Sequence, residues 1–370
     1  SSFFFFFFFF FFFFFFFSPS FLSPSSSSPL LPPSLPPSLP PPPPSSSGSS
    51  MGAVQPGSER QWHEAVRQVR QDRLRELTWP PMDGPTYALT MDDTEVLAAA
   101  LRPNTTLKGL DLIEQDLGAP GAQALAQALA GHPTLCRLCL ADSLGDVLGV
   151  LAVLPLLDTN RALTELNLGN SCCDEGGVRA LVAALRRNTT LKVLGLSSNQ
   201  VGPAGAALLA SLLAEDPVLE SIGLSTNAIG DAGASALAHA LERNTHLDRL
   251  WLASNGVTTA GWQALMRMLH VNRTLTRLGL TSNNLGPDAA RILADALRIN
   301  TRLVAAHYDQ HDCPDCDVNE ALRALDINKV GCQESERKKE RKKEKKERKK
   351  KKKKGEKEER ERRRRRRRRD

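Results

Sequence analysis

Leucine recurs in this chain every 28 residues, and that spacing limits what the middle of the chain can fold into. Units open at Leu107, Leu135, Leu163, Leu191, Leu219, Leu247 and Leu275. Trp79 and Leu303 open weaker units in the same frame, giving nine expected units between residues 79 and 330. A fixed period of this length marks a stacked repeat, in which each unit buries its apolar face only against its neighbours.

Each unit has the same internal order. In Leu191-Lys192-Val193-Leu194-Gly195-Leu196-Ser197-Ser198-Asn199, the last two leucines alternate with small or polar residues. That is the period of a strand with one buried face. Three residues after the strand stands an asparagine (Asn199, Asn227, Asn255, Asn283), whose amide can satisfy backbone groups as the chain turns inward. An apolar residue and a glycine turn follow, as in Val201-Gly202-Pro203, and then a helix with Ala234, Leu237, Ala238 and Leu241 at helical spacing. Asn188, Asn244, Asn272 or Asn300 closes the helix. The sequons at Asn104, Asn188 and Asn272 fall at that same place, so structure explains them without glycosylation. The expected product is an α/β solenoid, a horseshoe arc with parallel strands on the concave face and helices on the convex face. Nine strands give a sheet on the order of 40 Å along the stack.

Both ends of the stack read as capped. Ser58 and Gln61 have capping-box spacing, and Trp62, Val66, Val69, Leu74 and Leu77 suggest one apolar face of a helix within residues 51–78. At the far end Ala306 and Tyr308 replace the strand leucines. A mid-stack residue such as Asn227 should resist change more than Asn104 in the terminal unit.

Units reading G-x-A-G…L-A-x-A-L-x-x-N-T resemble the leucine-rich repeats of the ribonuclease-inhibitor class. They look like the repeats of NOD-like receptors, the NLRC-type group included, and of Ran GTPase-activating protein. The resemblance covers about 252 of 370 residues. It implies a binding scaffold or regulator that engages a protein partner through its concave face. The alternative it implies is a GTPase activator with a small GTPase as partner. NOD-like receptors also carry a nucleotide-binding domain, and G-x-x-x-x-G-K-[ST] is absent here. The loops Ile113-Glu114-Gln115 and Ala141-Asp142-Ser143 depart from the regular pattern without matching the activator's polar residues.

The flanks have a different character. Residues 1–47 contain only Ser, Phe, Pro and Leu, the amino acids of codons with two leading pyrimidines; residues 336–369 contain only Glu, Arg, Lys and Gly, those of all-purine codons. Residues 1–50 and 331–370 are therefore expected to be disordered low-complexity sequence or translated non-coding sequence, with Met51 as the start. The run Phe3–Phe17 is short for a membrane helix and lacks the flanks of a signal peptide, so no membrane role is expected. Residues 79–330 carry a net charge of −9 and the last forty residues +15. An acidic repeat domain excludes nucleic-acid binding through its own surface. Seven scattered cysteines suit a reducing compartment, hence the cytoplasm, with the nucleus added if the basic tail belongs to the native protein.

The residues between the strand leucines form a column on the concave face: Asp111, Cys139, Asn167, Gly195, Gly223, Trp251, Gly279 and His307. One large aromatic stands among small and polar neighbours, with Asp248, Arg249 and Arg277 beside it. That is the composition of a binding hot spot, so Trp251, Arg249, Arg277, Asp248 and His307 are the expected partner-binding residues. Trp262, next to the helix residue Gly261, is expected in the core. His307, His311, Cys313 and Cys316 have zinc-donor chemistry, but His311 and Cys313 fall at the ladder and apolar-turn positions of the repeat, and no metal site is assigned. Cys136 and Cys139 read C-x-x-C within one strand, with no second pair near. H-E-x-x-H, G-x-S-x-G and G-x-G-x-x-G are absent, so neither catalysis nor a cofactor is expected.

Overall fold

The structure is a computed structural model and describes residues 58–79, 87–307 and Leu325. Its first element is helix α1 (Glu59–Arg70). Strand and helix then alternate: β1 (Glu76–Trp79), α2 (Met91–Leu101), β2 (Gly109–Leu112), α3 (Gly118–Leu129) and β3 (Arg137–Cys139). The third unit divides its helix into α4 (Val147–Val153) and α5 (Pro155–Thr159) before β4 (Glu165–Asn167). The regular series is α6 (Glu175–Leu185), β5 (Val193–Gly195), α7 (Gly202–Ala214), β6 (Ser221–Gly223), α8 (Gly230–Leu241) and β7 (Arg249–Trp251). It ends with α9 (Thr259–Leu269), β8 (Arg277–Gly279), α10 (Ala289–Leu297) and β9 (Ala305–His307).

The nine strands form one sheet in chain order, with every pair parallel. Consecutive strands are neighbours because each crossover helix returns the chain one strand further along, the right-handed preference of parallel units. Packed helices need roughly 8–10 Å and strands about 4.8 Å, so the helix layer forms the outer rim and the sheet the inner face. Leu110, Leu138, Leu166, Leu194, Ile222, Leu250 and Leu278 lie in register as one buried row. Each such side chain contributes about 1.5–3 kcal/mol by leaving water.

The first unit departs from the expected frame. Leu77 pairs with Leu110 and Trp79 with Leu112, so the unit opens at Leu74 rather than at Trp79. Leu74 and Leu77 thus belong to the strand segment, and the cap helix buries Trp62, Ala65, Val66 and Val69 instead. Trp62 meets Trp79 edge to face, with ring centroids 4.7 Å apart, and the Trp79 indole N–H donates to the Tyr87 carbonyl. The capping box does not form either. Ser58 makes no side-chain bond to the helix backbone and donates its hydroxyl to Gln61 Oε1. At the other end Ala306 takes the strand-leucine place, opposite Leu278, while Tyr308 lies outside the described residues.

Two rows of side-chain amides replace the hydrogen bonds that the turns lack. In the first, Asn227 Nδ2 donates to the carbonyls of Leu196, Leu224 and Ser225, while Asn255 Oδ1 accepts from the backbone N–H groups of Asn227 and Ile229. Asn199, Asn255 and Asn283 repeat this geometry. Gln115, Ser143 and Ser171 occupy the earlier rungs: Ser143 Oγ donates to the Leu112 carbonyl and accepts from the Gln115 N–H. The irregular loops at 113–115 and 141–143 are therefore the start of the ladder.

The second row closes the helices. Asn160, Asn188, Asn244, Asn272 and Asn300 each donate to a carbonyl 31 residues back, in the previous unit. Each Oδ1 accepts from backbone N–H groups just downstream, as Asn188 does from Thr190 and Leu191. Asn104 joins this row: it is 1% exposed, donates to the Val69 carbonyl, and accepts from the N–H groups of Thr106 and Leu107. The expectation that Asn104 tolerates change is corrected by these bonds. The same burial makes the three sequon asparagines structural groups in the folded chain.

Candidate functional site: the concave face

Strand alternation sends the residues between the core leucines to the inner face, where register aligns Thr78, Asp111, Cys139, Asn167, Gly195, Gly223, Trp251, Gly279 and His307. Leu250 and Leu252 are fully buried, and Trp251 between them is partly exposed. Its ring does not stand upright. It lies across Gly279, where a β-carbon would come within 2.5 Å of Trp251 Cε3. The indole then stacks on His307, with centroids 5.8 Å apart and planes 28° from parallel.

The row one step upstream in the strands carries the charges. Arg249 is exposed and bonds Asp248 at 3.2 Å, and Asp248 also accepts from the Thr276 hydroxyl. Arg277 is exposed and has no side-chain partner among the described residues. Towards the first units, Arg137 reaches Asp111 at 3.2 Å and Glu76 at 3.8 Å, and Lys192 pairs with Glu220 at 2.6 Å. The Lys192–Glu220 pair is exposed and contributes little to stability, about 0–1 kcal/mol, whereas the Arg137–Asp111 pair is part-buried, with Asp111 the more enclosed partner.

Between these groups lies a hollow of about 690 Å³, bordered by Asp111, Arg137, Glu165 and Asn167 on one side and Trp251 on the other. Its floor is small residues: Gly195, Ser197, Ser221 and Gly223. Asn167 leans over Gly195, donates to Cys139 Sγ at 3.3 Å and accepts from the Gly169 N–H. The structure thus places Trp251, His307, Arg249, Asp248 and Arg277 on one face. It adds Arg137 and Glu165, which continue the row holding Arg249 and Arg277 towards the first units, and the Lys192–Glu220 pair, which falls one residue earlier, in the row of Asp248; the 28-residue spacing carries this signal.

The remaining candidates sit elsewhere. Trp262 is fully buried and its indole donates to the Ala289 carbonyl at 3.1 Å. Of the four residues with zinc-donor chemistry, His307 is engaged with Trp251, and His311, Cys313 and Cys316 lie outside the described residues. Among the described residues no three His, Cys, Asp or Glu side chains converge to hold a metal ion. Cys136, Cys139, Cys172 and Cys173 are free thiols. Burial pushes Cys139 upward and Cys173 up to about 12, so neither is a ready thiolate. No described helix is long and apolar enough to cross a membrane.

Three segments of the chain, residues 187–210, 216–238 and 271–294, match the family described as Leucine Rich repeat. A comparison with curated proteins gives no match. Among solved structures, the chain is similar to the leucine-rich repeat-containing protein LegL7 from Legionella pneumophila, at 18% identity over 69% of this chain and 80% of that one, with a TM-score of 0.47. It is also similar to the leiomodin-1 actin-binding site 2, at 22% identity over 52% of this chain and 95% of that one, with a TM-score of 0.36. The tropomodulin C-terminal domain from Caenorhabditis elegans matches at 17% identity over 51% of this chain and 97% of that one, with a TM-score of 0.35. With nine parallel strands in consecutive register and family matches in three separate segments, this chain carries leucine-rich repeats and folds as a leucine-rich-repeat α/β solenoid.

Proposed function

We propose that this chain is a protein-interaction scaffold whose working surface is the concave face around Trp251. The observation that carries the proposal is a partly exposed indole on a sheet whose flanking leucines are fully buried, beside two exposed arginines. Aromatic and arginine side chains supply most hot-spot energy in protein interfaces, and a large exposed aromatic is the exception on a surface. The loops that would have to carry a GTPase activator's polar residues instead use Gln115 and Ser143 to hold backbone groups, which favours the scaffold over the activator. The likeness of the repeat unit to NOD-like-receptor repeats supports the same role, and a cytoplasmic location fits its free thiols.

Affinity capture with the wild-type chain and with Trp251→Ala tests this. Captured partners should bind Trp251→Ala more weakly by about 2 kcal/mol or more, with Arg249→Ala and Arg277→Ala acting in the same direction and less strongly. Undiminished binding by Trp251→Ala would move the working surface off the concave face.

A further inference from the structure

The glycines along the concave column are not equivalent, and the difference points to an occupant. A β-carbon on Gly195 would strike Asn167 Oδ1 at 2.4 Å, and one on Gly279 would strike Trp251 at 2.5 Å. Those two glycines are needed by the side chains that lie over them. Gly223 is different: a β-carbon there would meet Ser197 Oγ at 3.4 Å and backbone atoms beyond that, an ordinary van der Waals contact. Its backbone is not among the left-handed positions that require glycine. Nothing inside the fold requires Gly223 to lack a side chain, yet its smallness keeps the hollow open beside Trp251.

The geometry points to a partner segment that inserts an aromatic side chain over Gly223, against the indole of Trp251, and sets an acidic residue beside Arg277. This rests on the concave face being the binding surface and specifies what that surface recognises. Trp251 leans away from Gly223, towards Gly279 and His307, so the ring borders the hollow. An inserted ring would extend the existing Trp251–His307 stack, an arrangement aromatic groups favour at centroid separations of about 4.5–7 Å. The indole N–H has no partner among the described residues and is free to donate to the incoming segment. The charges next to Trp251 disfavour a cation on that side. On the Trp251 side of the hollow, Arg249 and Arg277 stand on the adjacent row and His307 lies behind the stack, and the carboxylate there, Asp248, is already engaged by Arg249 and Thr276; Asp111 and Glu165 border the far side, beside Arg137. Of these two arginines, Arg277 has no carboxylate partner among the described residues, and an acidic side chain supplies one.

The test is selection of a short random-peptide display library on the full chain, followed by affinity measurement with the winning peptides made synthetically. The winners should share an aromatic residue with an acidic neighbour. Their affinity should fall at least about tenfold for Gly223→Leu, which fills the hollow, and for Trp251→Ala, and little for Gly223→Ala, which leaves it open. Arg277→Ala should weaken the acidic peptide and not its uncharged amide analogue. Should Gly223→Leu fail to fold by its melting transition, acrylamide quenching of the wild-type chain replaces it. Peptides without tryptophan must shield Trp251, because the other three tryptophans are fully buried. Winners lacking an aromatic, no enrichment at all, or affinity unchanged by Gly223→Leu would overturn the proposal. Winners sensitive to Trp251→Ala but not to Gly223→Leu would overturn the hollow alone and leave the concave surface standing. Winners indifferent to both would remove both.

Discussion

The indole of Trp251 fills the space that a β-carbon on Gly279 would need, 2.5 Å from Trp251 Cε3, so the two residues on neighbouring strands fix each other's identity. Gly279→Ala should therefore tilt the indole off its stack on His307. The expected readout is greater acrylamide quenching, since Trp251 is partly exposed and the other three tryptophans are fully buried. The forced shift should cost about 1–3 kcal/mol in chemical denaturation. Unchanged quenching would mean the ring does not rest on Gly279.

Burial separates Trp251 from its flanking leucines, and so should mutation. Leu252→Ala opens a cavity in the row beneath the sheet and should cost about 2–5 kcal/mol. Trp251→Ala removes a stack and a half-buried surface and should cost about 1 kcal/mol. Equal losses in urea titrations of the two variants would place Trp251 in the core.

The amide rows predict a second contrast. Asn227→Ala leaves the Val201 N–H without its Oδ1 acceptor and removes one of two donors from the carbonyls of Leu196, Leu224 and Ser225, which keep Asn199, Asn255 and the Ser198 N–H. It should destabilise the chain by ~1–3 kcal/mol, the cost of a single unpaired buried group. Asn104→Ala, although near the end of the stack, should cost a similar amount because it serves the Val69 carbonyl and two backbone N–H groups. Exchange rates of the Thr106 and Leu107 amides should rise in that variant. A negligible loss at Asn104 would show that the terminal unit opens without it.

His132 holds the same place as Asn104 and Asn160, and accepts the Thr134 and Leu135 N–H groups at Nδ1. Accepting there requires the neutral ring, and burial lowers its pKa below 6.5, with Asp72 opposing the shift. The folded chain thus binds a proton less readily than the unfolded one. Stability from this group is complete above pH 6.5 and declines as pH falls from there through the lowered folded pKa. His132→Asn should remove that decline from the melting temperature measured across the same range. An unchanged slope would assign the acid sensitivity to other groups.

From Leu107 onward, the period determined the strands, because each residue's role is fixed by its distance from the next leucine, and register then follows from stacking identical units. The concave column was legible for the same reason, since adjacent side chains on a strand must take opposite faces. The first unit was not legible. It is offset from the second by 33 residues instead of 28, as Thr78 and Asp111 show, and Trp79 is apolar enough to satisfy either frame. Packing against Trp62 and the bond to the Tyr87 carbonyl settle its place in the strand. Tertiary structure also decided what the column does. The sequence puts Trp251 between two glycines without favouring either. Only the presence of His307 one strand beyond Gly279 gives the indole something to stack on, so the ring leans that way and the space over Gly223 stays open.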